Sequence, residues 1–394
     1  MKMLKFEKKI IEWGEKNIWQ IMFVAVSIAA VLVRIRLYPF VSDDMEGYLI
    51  PWFDQIKRLG GVHALSTQVG NYNALYQTLI ALMTYIPINP LYQYKNLSVF
   101  FDFVLAFYTA RYVYLETGKE IPKTLAAYSL VLLSPIVMMN SAMWGQCDSI
   151  YVSFLVATLL YIRKEKYPLA FVMFGLAMAF KLQAVFLLPF LLFAYVRTKK
   201  FSMLNFLIVP AVMFVACIPT CVMGRSWQVV FAVYYYQTFS CDSLYFSYPT
   251  FWSLLTQEDW AKREILIYFK NGIILLTIAA LAGLMVYLIH KKVQVEGENI
   301  LYIAFLMIYI CVLLLPGMHD RYGFAYEILA IVVAIKERKT IPLLVGLLLM
   351  NLVVYGHAFF GTPTIGSLMG LINVVIFYFY AKILLGRLDG INNV

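Results

Sequence analysis

The chain has 394 residues, of which 62% are hydrophobic and only 14% are charged. Soluble domains carry about a quarter charged residues, so this composition excludes an ordinary soluble protein and indicates a helical membrane protein. The formal net charge of +10 would suggest a nucleic-acid partner in a soluble protein. In a membrane protein it is typical of loops that face anionic lipids, so we expect membrane lipids and no nucleic acid as partners.

The hydropathy pattern predicts an all-α, polytopic membrane protein that forms a single domain over residues 1–394. The basic N-terminal segment runs into a full-length apolar stretch without a small-residue cleavage site, which favours a retained first helix over a removed signal peptide. With this helix, about twelve segments are predicted to be transmembrane helices, several of them short enough to pack around an aqueous cavity. They are residues 18–38, 96–115, 124–142, 149–162, 167–181, 184–196, 202–222, 271–289, 300–316, 323–335, 341–359 and 365–385.

A further apolar stretch, residues 75–86, is short for a span and is followed by two prolines. We interpret it as an interfacial or re-entrant helix. The positive-inside rule supports this choice, because the basic clusters, including those at 163–166 and 197–200, then all fall on one side. Both termini are therefore predicted to be cytoplasmic. Two long outer loops follow, at about residues 39–94 and 223–270.

The second outer loop, residues 223–270, is dense in aromatic residues. This composition suits interfacial helices, where a ring and its polar tip both find partners, and suits equally a lid over a lipid or sugar site. Cys147 and Cys241 lie in outer connections, which leaves a disulfide between them open. No Cys or Cys/His spacing typical of a metal site occurs, so neither a metal nor a cofactor is expected.

Three carboxylates, those of Asp43, Asp44 and Glu46, follow the first predicted span. Carboxylates are costly in hydrocarbon, so the chain must have emerged into water at this point. The functional interpretation is a general base at the membrane boundary, which a sugar transfer from a lipid carrier would need. The alternative is that these carboxylates only mark the end of a span.

Several cations lie on the same predicted face. Lys181 interrupts a nearly continuous apolar run, where a charge costs about 2.5–3.5 kcal/mol at mid-span, so it either takes an anionic partner or snorkels to lipid headgroups. His319 and Arg321 suit phosphate oxygens, or else a helix-end cap and a pair with Asp320.

Arg34 and Arg36 flank the first span on the outer side, against the positive-inside pattern. They are candidate ligands of the donor phosphate, or else they form a fixed ion pair with Asp43 or Asp44. A polyprenyl sugar phosphate is already activated, so an enzyme needs one base for the acceptor hydroxyl and fixed cations for the departing phosphate. No nucleotide-binding glycine loop is present, which favours a lipid-linked donor over a nucleotide sugar.

Five motifs carry a family resemblance: SDDMEGYLIPWF, YKNLSVFFDFVLAFYTARYV, NSAMWGQCDSIY, AFKLQAVFLLP and LPGMHDRY, in this order. Over roughly residues 34–335 the chain resembles the bacterial integral-membrane glycosyltransferases of the GT-C superfamily. More narrowly, it resembles the bacterial relatives of the eukaryotic GPI mannosyltransferase 2 family. The resemblance implies a GT-C-like helical bundle with interfacial helices in the first and a later outer loop.

The resemblance also implies a reaction. It is an inverting, metal-independent transfer of a hexose, with mannose as the best guess, from a polyprenyl-phosphate-sugar to an envelope glycan or glycolipid acceptor. The site would face the extracytoplasmic side of a bacterial plasma (inner) membrane. In this family the first-loop aspartate is the base; Asp44 matches its position best, with Asp43 beside it. The candidate ligands of the donor phosphate are Lys181, His319, Arg321, Arg34 and Arg36, and the candidate substrate-binding residues are Trp144, Gln146, Asp148, Gln183, Tyr322, Asn73 and Tyr76.

Two other functions compete with this interpretation. A transporter or flippase for a lipid-linked saccharide would also use intramembrane charges and a basic cavity. Against it stand the absence of internal sequence repeats and the clustering of chemical groups on one face. An oligosaccharide polymerase would also face outward, but we expect it to carry its charges in long loops and not in short turns at span ends.

Overall fold

The computed structural model describes residues 3–239, 244–255 and 263–390. These residues form seventeen α-helices, joined in part by short 3₁₀ and π-helical turns, and contain no β-strand. The helices are α1 (Lys5–Lys16), α2 (Ile18–Leu37), α3 (Ile50–Arg58), α4 (Ala74–Met83), α5 (Pro90–Glu116), α6 (Ile121–Leu133), α7 (Pro135–Met138), α8 (Asp148–Arg163), α9 (Tyr167–Phe180), α10 (Leu188–Thr198), α11 (Ile208–Val222), α12 (Trp227–Phe239), α13 (Arg263–His290), α14 (Asn299–Leu314), α15 (Phe324–Lys336), α16 (Ile341–Phe360) and α17 (Gly366–Gly390).

Several helices are long and apolar enough to cross a membrane, which supports a multi-pass membrane protein. Within the described ranges there are six such segments, and a bent pair made of α6 and the following Pro135–Met143 would be a seventh. Other predicted spans correspond to shorter apolar helices, among them α9 and α14. A total of twelve spans therefore stays a prediction. The six segments are Ile18–Leu37, Pro90–Glu116, Met203–Val222, Phe269–His290, Arg338–Phe360 and Gly366–Gly390.

Proline determines where several helices begin or break. Proline stands in the first turn of α5, α6, α9, α10 and α16, where its missing N–H has no intrahelical partner to lose. Ser134 has an extended backbone, with φ −62° and ψ 126°, as expected of a residue before proline. The segment predicted as one span at 124–142 is therefore bent by 46° at this point.

The stretch predicted not to cross contains α4, a helix of ten residues. At 1.5 Å per residue such a helix is about 15 Å long, roughly half the thickness of the hydrocarbon core. Its length agrees with an interfacial or re-entrant helix. The chain then returns through α5, which begins six residues earlier than the predicted span at 96–115.

A continuous hydrophobic core runs from Ala30 to Leu388. Helix α8 lies near its centre, because it packs against both α5 and α9, and α14 is buried over nearly its whole length. Helices α2, α13, α16 and α17 instead carry many exposed apolar side chains, as lipid-facing helices do. Three connections meet above this core: α2 to α3, α7 to α8, and α14 to α15.

Candidate functional site

A cavity of about 440 Å³ opens where these three connections meet. Its volume lies within the range of small-molecule sites. Four of the residues selected from sequence as catalytic or phosphate-binding line it, namely Asp43, Asp44, His319 and Arg321. The other lining residues are Ser42, Tyr48, Leu49, Trp52, Asn71, Tyr72, Trp144, Gln146, Phe246, Asp320 and Ala358.

Asp44 is held in one orientation on the cavity wall. Its Oδ2 accepts hydrogen bonds from Trp144 Nε1 and from Gln146 Nε2, both at 2.9 Å. The hydroxyl of Tyr72 donates to Gln146 Oε1 at 3.0 Å, which fixes the amide with its nitrogen toward Asp44. The side chain of Asp44 is still 32% exposed, so it is accessible from the cavity.

The local chain conformation brings these groups together. Gly145 has a φ of +72°, in the region that favours glycine, and its missing side chain leaves room for the flexible end of Met45. The turn can therefore approach the first loop closely enough for Trp144 and Gln146 to reach Asp44. The positive φ explains the glycine of the W-G-Q motif.

Arg321 is the one Lys or Arg among the described residues that line this cavity. Its Nη1 lies 3.5 Å from Asp44 Oδ2 and 3.3 Å from Asp320 Oδ1, and its guanidinium carbon lies 5.1 Å from the centre of the Trp144 ring. Burial alone would lower the pKa of Arg321, but the neighbouring carboxylates, Asp320 foremost, raise it above its ordinary value. The guanidinium is thus a permanent cation at the cavity wall.

Behind Arg321 lies a buried ion pair between Lys181 and Asp148. Asp148 also accepts a hydrogen bond from Asn140 Nδ2 at 2.9 Å, and its Oδ2 lies 3.6 Å from Arg321 Nε. The expectation of an anionic partner for Lys181 is confirmed. The structure does not place Lys181 on the cavity wall, however; its contact with the site runs through Asp148, which orients Arg321.

His319 is at the rim between two cavities. Its ring packs against Phe246 at 4.2 Å and against Tyr322 at 5.0 Å between ring centres. Burial, reinforced by the positive charges of Arg321 and Lys181, lowers the pKa of His319 to about 3. A neutral imidazole can donate one hydrogen bond to a phosphate oxygen but brings no positive charge to it.

Arg34 and Arg36 do not reach the cavity. Arg34 is 1% exposed and pairs with Asp102, whose Oδ2 lies 2.9 Å from its Nε and 2.8 Å from its Nη2. Of the two alternatives for Arg34, the ion pair with Asp43 or Asp44 is therefore wrong: α2 turns this side chain inward toward Asp102 of α5. Arg36 is exposed on α2.

The other selected residues lie around the site but not on its wall. Asn73 accepts a hydrogen bond from Gln237 Nε2 at 3.1 Å, and Tyr76 is fully buried against Tyr72, with 4.7 Å between ring centres. Gln183 and Tyr322 line a second cavity of about 360 Å³, which shares His319 with the first.

Some lining residues were missed by the sequence reasoning. Tyr48 and Trp52 follow Asp44 at spacings of four and eight residues, which places all three on one face of a continuous helical stretch. That periodicity was a usable signal. Phe246 reaches the cavity from the aromatic-rich segment at residues 223–270, and nothing in the sequence marks it out among the many aromatic residues there.

No group of three or more His, Cys, Asp or Glu side chains is placed to hold a metal ion within the part of the chain that the structure describes. Cys147 is a buried free thiol, and burial raises its pKa to about 11. Cys241, the other half of the disulfide left open by the sequence, and the neighbouring Asp242 lie outside the described residues.

Comparison with known proteins points to one enzyme class. A family model described as "Alpha-(1->6)-mannopyranosyltransferase, N-terminal domain" matches residues 103–197, which include Trp144, Asp148 and Lys181. GPI mannosyltransferase 1 of Saccharomyces cerevisiae is 25% identical over 185 residues, a stretch that covers 43% of this chain and 43% of the yeast protein. Both similarities support a relation to membrane mannosyltransferases of the GT-C type. The narrower likeness to GPI mannosyltransferase 2 stays a prediction.

Proposed function

We propose that the protein is a glycosyltransferase that moves a mannose-like hexose from a polyprenyl-phosphate-sugar to a hydroxyl of an envelope glycan or glycolipid. The observation that carries this proposal is the cavity in which a carboxylate, Asp44, and a permanent cation, Arg321, lie 3.5 Å apart. The similarity to mannosyltransferases supports the choice of sugar.

The proposed reaction is a single displacement with inversion, and metal-independent. The acceptor oxygen bonds to C1 of the sugar as the bond from C1 to the phosphate oxygen breaks. The acceptor proton passes to Asp44, and the electron pair of the broken bond leaves with the polyprenyl phosphate. A base positioned within hydrogen-bond reach of the hydroxyl contributes typically ~10²–10⁴-fold to such a step.

Arg321 has the matching role toward the leaving group. A guanidinium offers planar, paired donors to phosphate oxygens, and it is preorganised here by Asp148 behind it and the Trp144 ring beneath it. Fixed charge aimed at a developing anion lowers the barrier without reorganisation cost at the moment of reaction. In this proposal His319 adds one neutral hydrogen bond, and Lys181 acts through Asp148.

Product analysis on the purified protein tests the proposal. With a synthetic polyprenyl-phosphate-mannose and a glycan or glycolipid acceptor, we expect a mannosylated acceptor and one equivalent of polyprenyl phosphate. A nucleotide-linked mannose serves as the control donor and should not react. A flippase would give no covalent product, and a polymerase acting on lipid-linked oligosaccharides would release polyprenyl pyrophosphate; either result overturns the proposal.

We further propose that the cavity faces the extracytoplasmic side of a bacterial inner membrane, with both termini cytoplasmic. Single cysteines placed at Lys164 and Lys199 should then resist a membrane-impermeant thiol reagent added to intact cells. A cysteine at Gln55, which is exposed on α3, should react and serves as the control. Labelling at Lys164 or Lys199 from outside would reverse the proposed sidedness.

A further inference from the structure

A third cavity lies between α2, α5 and α6 and shares no lining residue with the proposed site. Its volume is about 430 Å³, and its wall is almost entirely apolar. Trp19, Phe23, Phe103, Phe107 and Tyr128 supply most of the wall, and many of these rings are exposed to the surroundings of the helices. A groove of this kind suits a flexible apolar chain better than a compact polar ligand.

The groove has a polar end and an apolar end. Arg111 and Thr124 line it near the end of α5 and the start of α6, whereas Phe103 lies eight residues earlier on α5. Eight residues of helix correspond to about 12 Å of depth. At the inner part, Phe23 packs against Tyr128 with 4.8 Å between ring centres.

Arg111 differs from two basic neighbours, Lys123 and Arg163, in having no carboxylate partner among the described residues. Lys123 pairs with Glu120 at 2.9 Å, and Arg163 pairs with Glu116. Arg111 is exposed, and its guanidinium carbon lies 5.6 Å from the centre of the Tyr114 ring, an arrangement that leaves the positive charge in place. A guanidinium at the mouth of an apolar groove is complementary to a phosphate attached to a hydrocarbon chain.

We propose that this groove binds an anionic glycerophospholipid, with the headgroup phosphate on Arg111 and one acyl chain along the aromatic wall. The groove opens at the ends of α5 and α6 that the basic clusters predict to be cytoplasmic, which is where anionic lipids attract cations. Trp19, near the start of α2, stands at the mouth as an interfacial aromatic residue does.

Native mass spectrometry in detergent tests the headgroup. Phosphatidylglycerol and phosphatidylcholine with identical acyl chains are titrated separately, and we expect one phosphatidylglycerol to be retained preferentially. Arg111→Gln should weaken that binding by about tenfold or more. Lys382→Gln removes an exposed cation near the end of α17 and should leave it unchanged. Equal retention of the two lipids, or equal losses in the two variants, would overturn the proposal.

A second variant tests the acyl chain without touching the charge. Ala110 lines the groove beside Arg111, so Ala110→Phe should fill it and weaken both lipids at this site. Thr124→Leu serves the same purpose if the first variant does not purify. Unchanged lipid affinity in a folded groove-filling variant would overturn the placement of the chain. These readouts do not depend on transferase activity.

Discussion

Replacing Asp44 with asparagine separates the chemistry of this carboxylate from its shape. In the structure, Trp144 and Gln146 both donate to Oδ2. In Asp44→Asn the amide oxygen should take that position, because the alternative would set an NH₂ group against two donors. The NH₂ group then takes the place of Oδ1, facing the acceptor, where it cannot accept a proton.

The expected loss is the contribution of a general base, ~10²–10⁴-fold in kcat, or about 2.7–5.4 kcal/mol of transition-state stabilisation. The donor KM should not rise, because the variant also removes a negative charge 3.5 Å from Arg321 and leaves more positive potential for the phosphate. A fall in kcat without a rise in KM is therefore the signature of this role.

The assay measures mannose transfer from synthetic polyprenyl-phosphate-mannose by the purified variants, at a temperature at which thermal unfolding shows all of them to be folded. Asp43→Asn and Glu46→Gln are matched controls, since both side chains are exposed close by and should lose far less rate. An inactive Asp43→Asn beside a normal Asp44→Asn would move the base by one residue. Normal turnover in all three variants would refute a base in this loop.

Three further results are expected. Arg321→Ala should lower kcat/KM by the equivalent of about 1.5–3 kcal/mol of transition-state stabilisation, because charge-assisted bonds to phosphate are lost. Arg321→Lys should recover little, because an ammonium group lacks the planar, paired donors of a guanidinium. Unchanged turnover in the alanine variant would remove Arg321 from the site. Arg34→Ala should destabilise the protein by about 3–5 kcal/mol, because it leaves Asp102 buried without its cation. At temperatures where the variant is folded, the donor KM should be unchanged. A raised KM would assign Arg34 to the donor site. Because its pKa is lowered to about 3, His319 stays neutral in the folded protein when the pH is lowered below about 6.5. The unfolded chain takes up a proton there. The free energy of unfolding should therefore decrease as the pH is lowered from about 6.5 to about 3, by up to about 1.4 kcal/mol per pH unit. His319→Gln should make the fall in thermal midpoint between pH 6 and pH 4 shallower; an identical slope would contradict a buried neutral imidazole.

The positions of the helices could be predicted because hydropathy is a local property. The predicted span at 167–181 corresponds to α9, Tyr167–Phe180, and that at 341–359 to α16, Ile341–Phe360. The bend at Ser134 was less predictable, because a hydropathy window averages over the break between two helices. The number of membrane crossings is harder to predict than the position of a helix, because helices of 13 to 16 residues are shorter than the roughly 20 residues that span a bilayer.

The convergence of Asp44, Trp144 and Arg321 could be predicted from the sequence. Each residue lies at the end of an apolar segment, and the charges of the loops indicate which segment ends share one side of the membrane. The pairing of individual charged side chains could not be predicted. Arg34 is ten residues from Asp44 in the chain but pairs with Asp102, 68 residues away, and Lys181 reaches Asp148 instead of the cavity. Such pairings depend on the rotation of each helix about its axis and on which helices pack together. Burial sets the partner, because a cation turned into the core must take the carboxylate that faces it there.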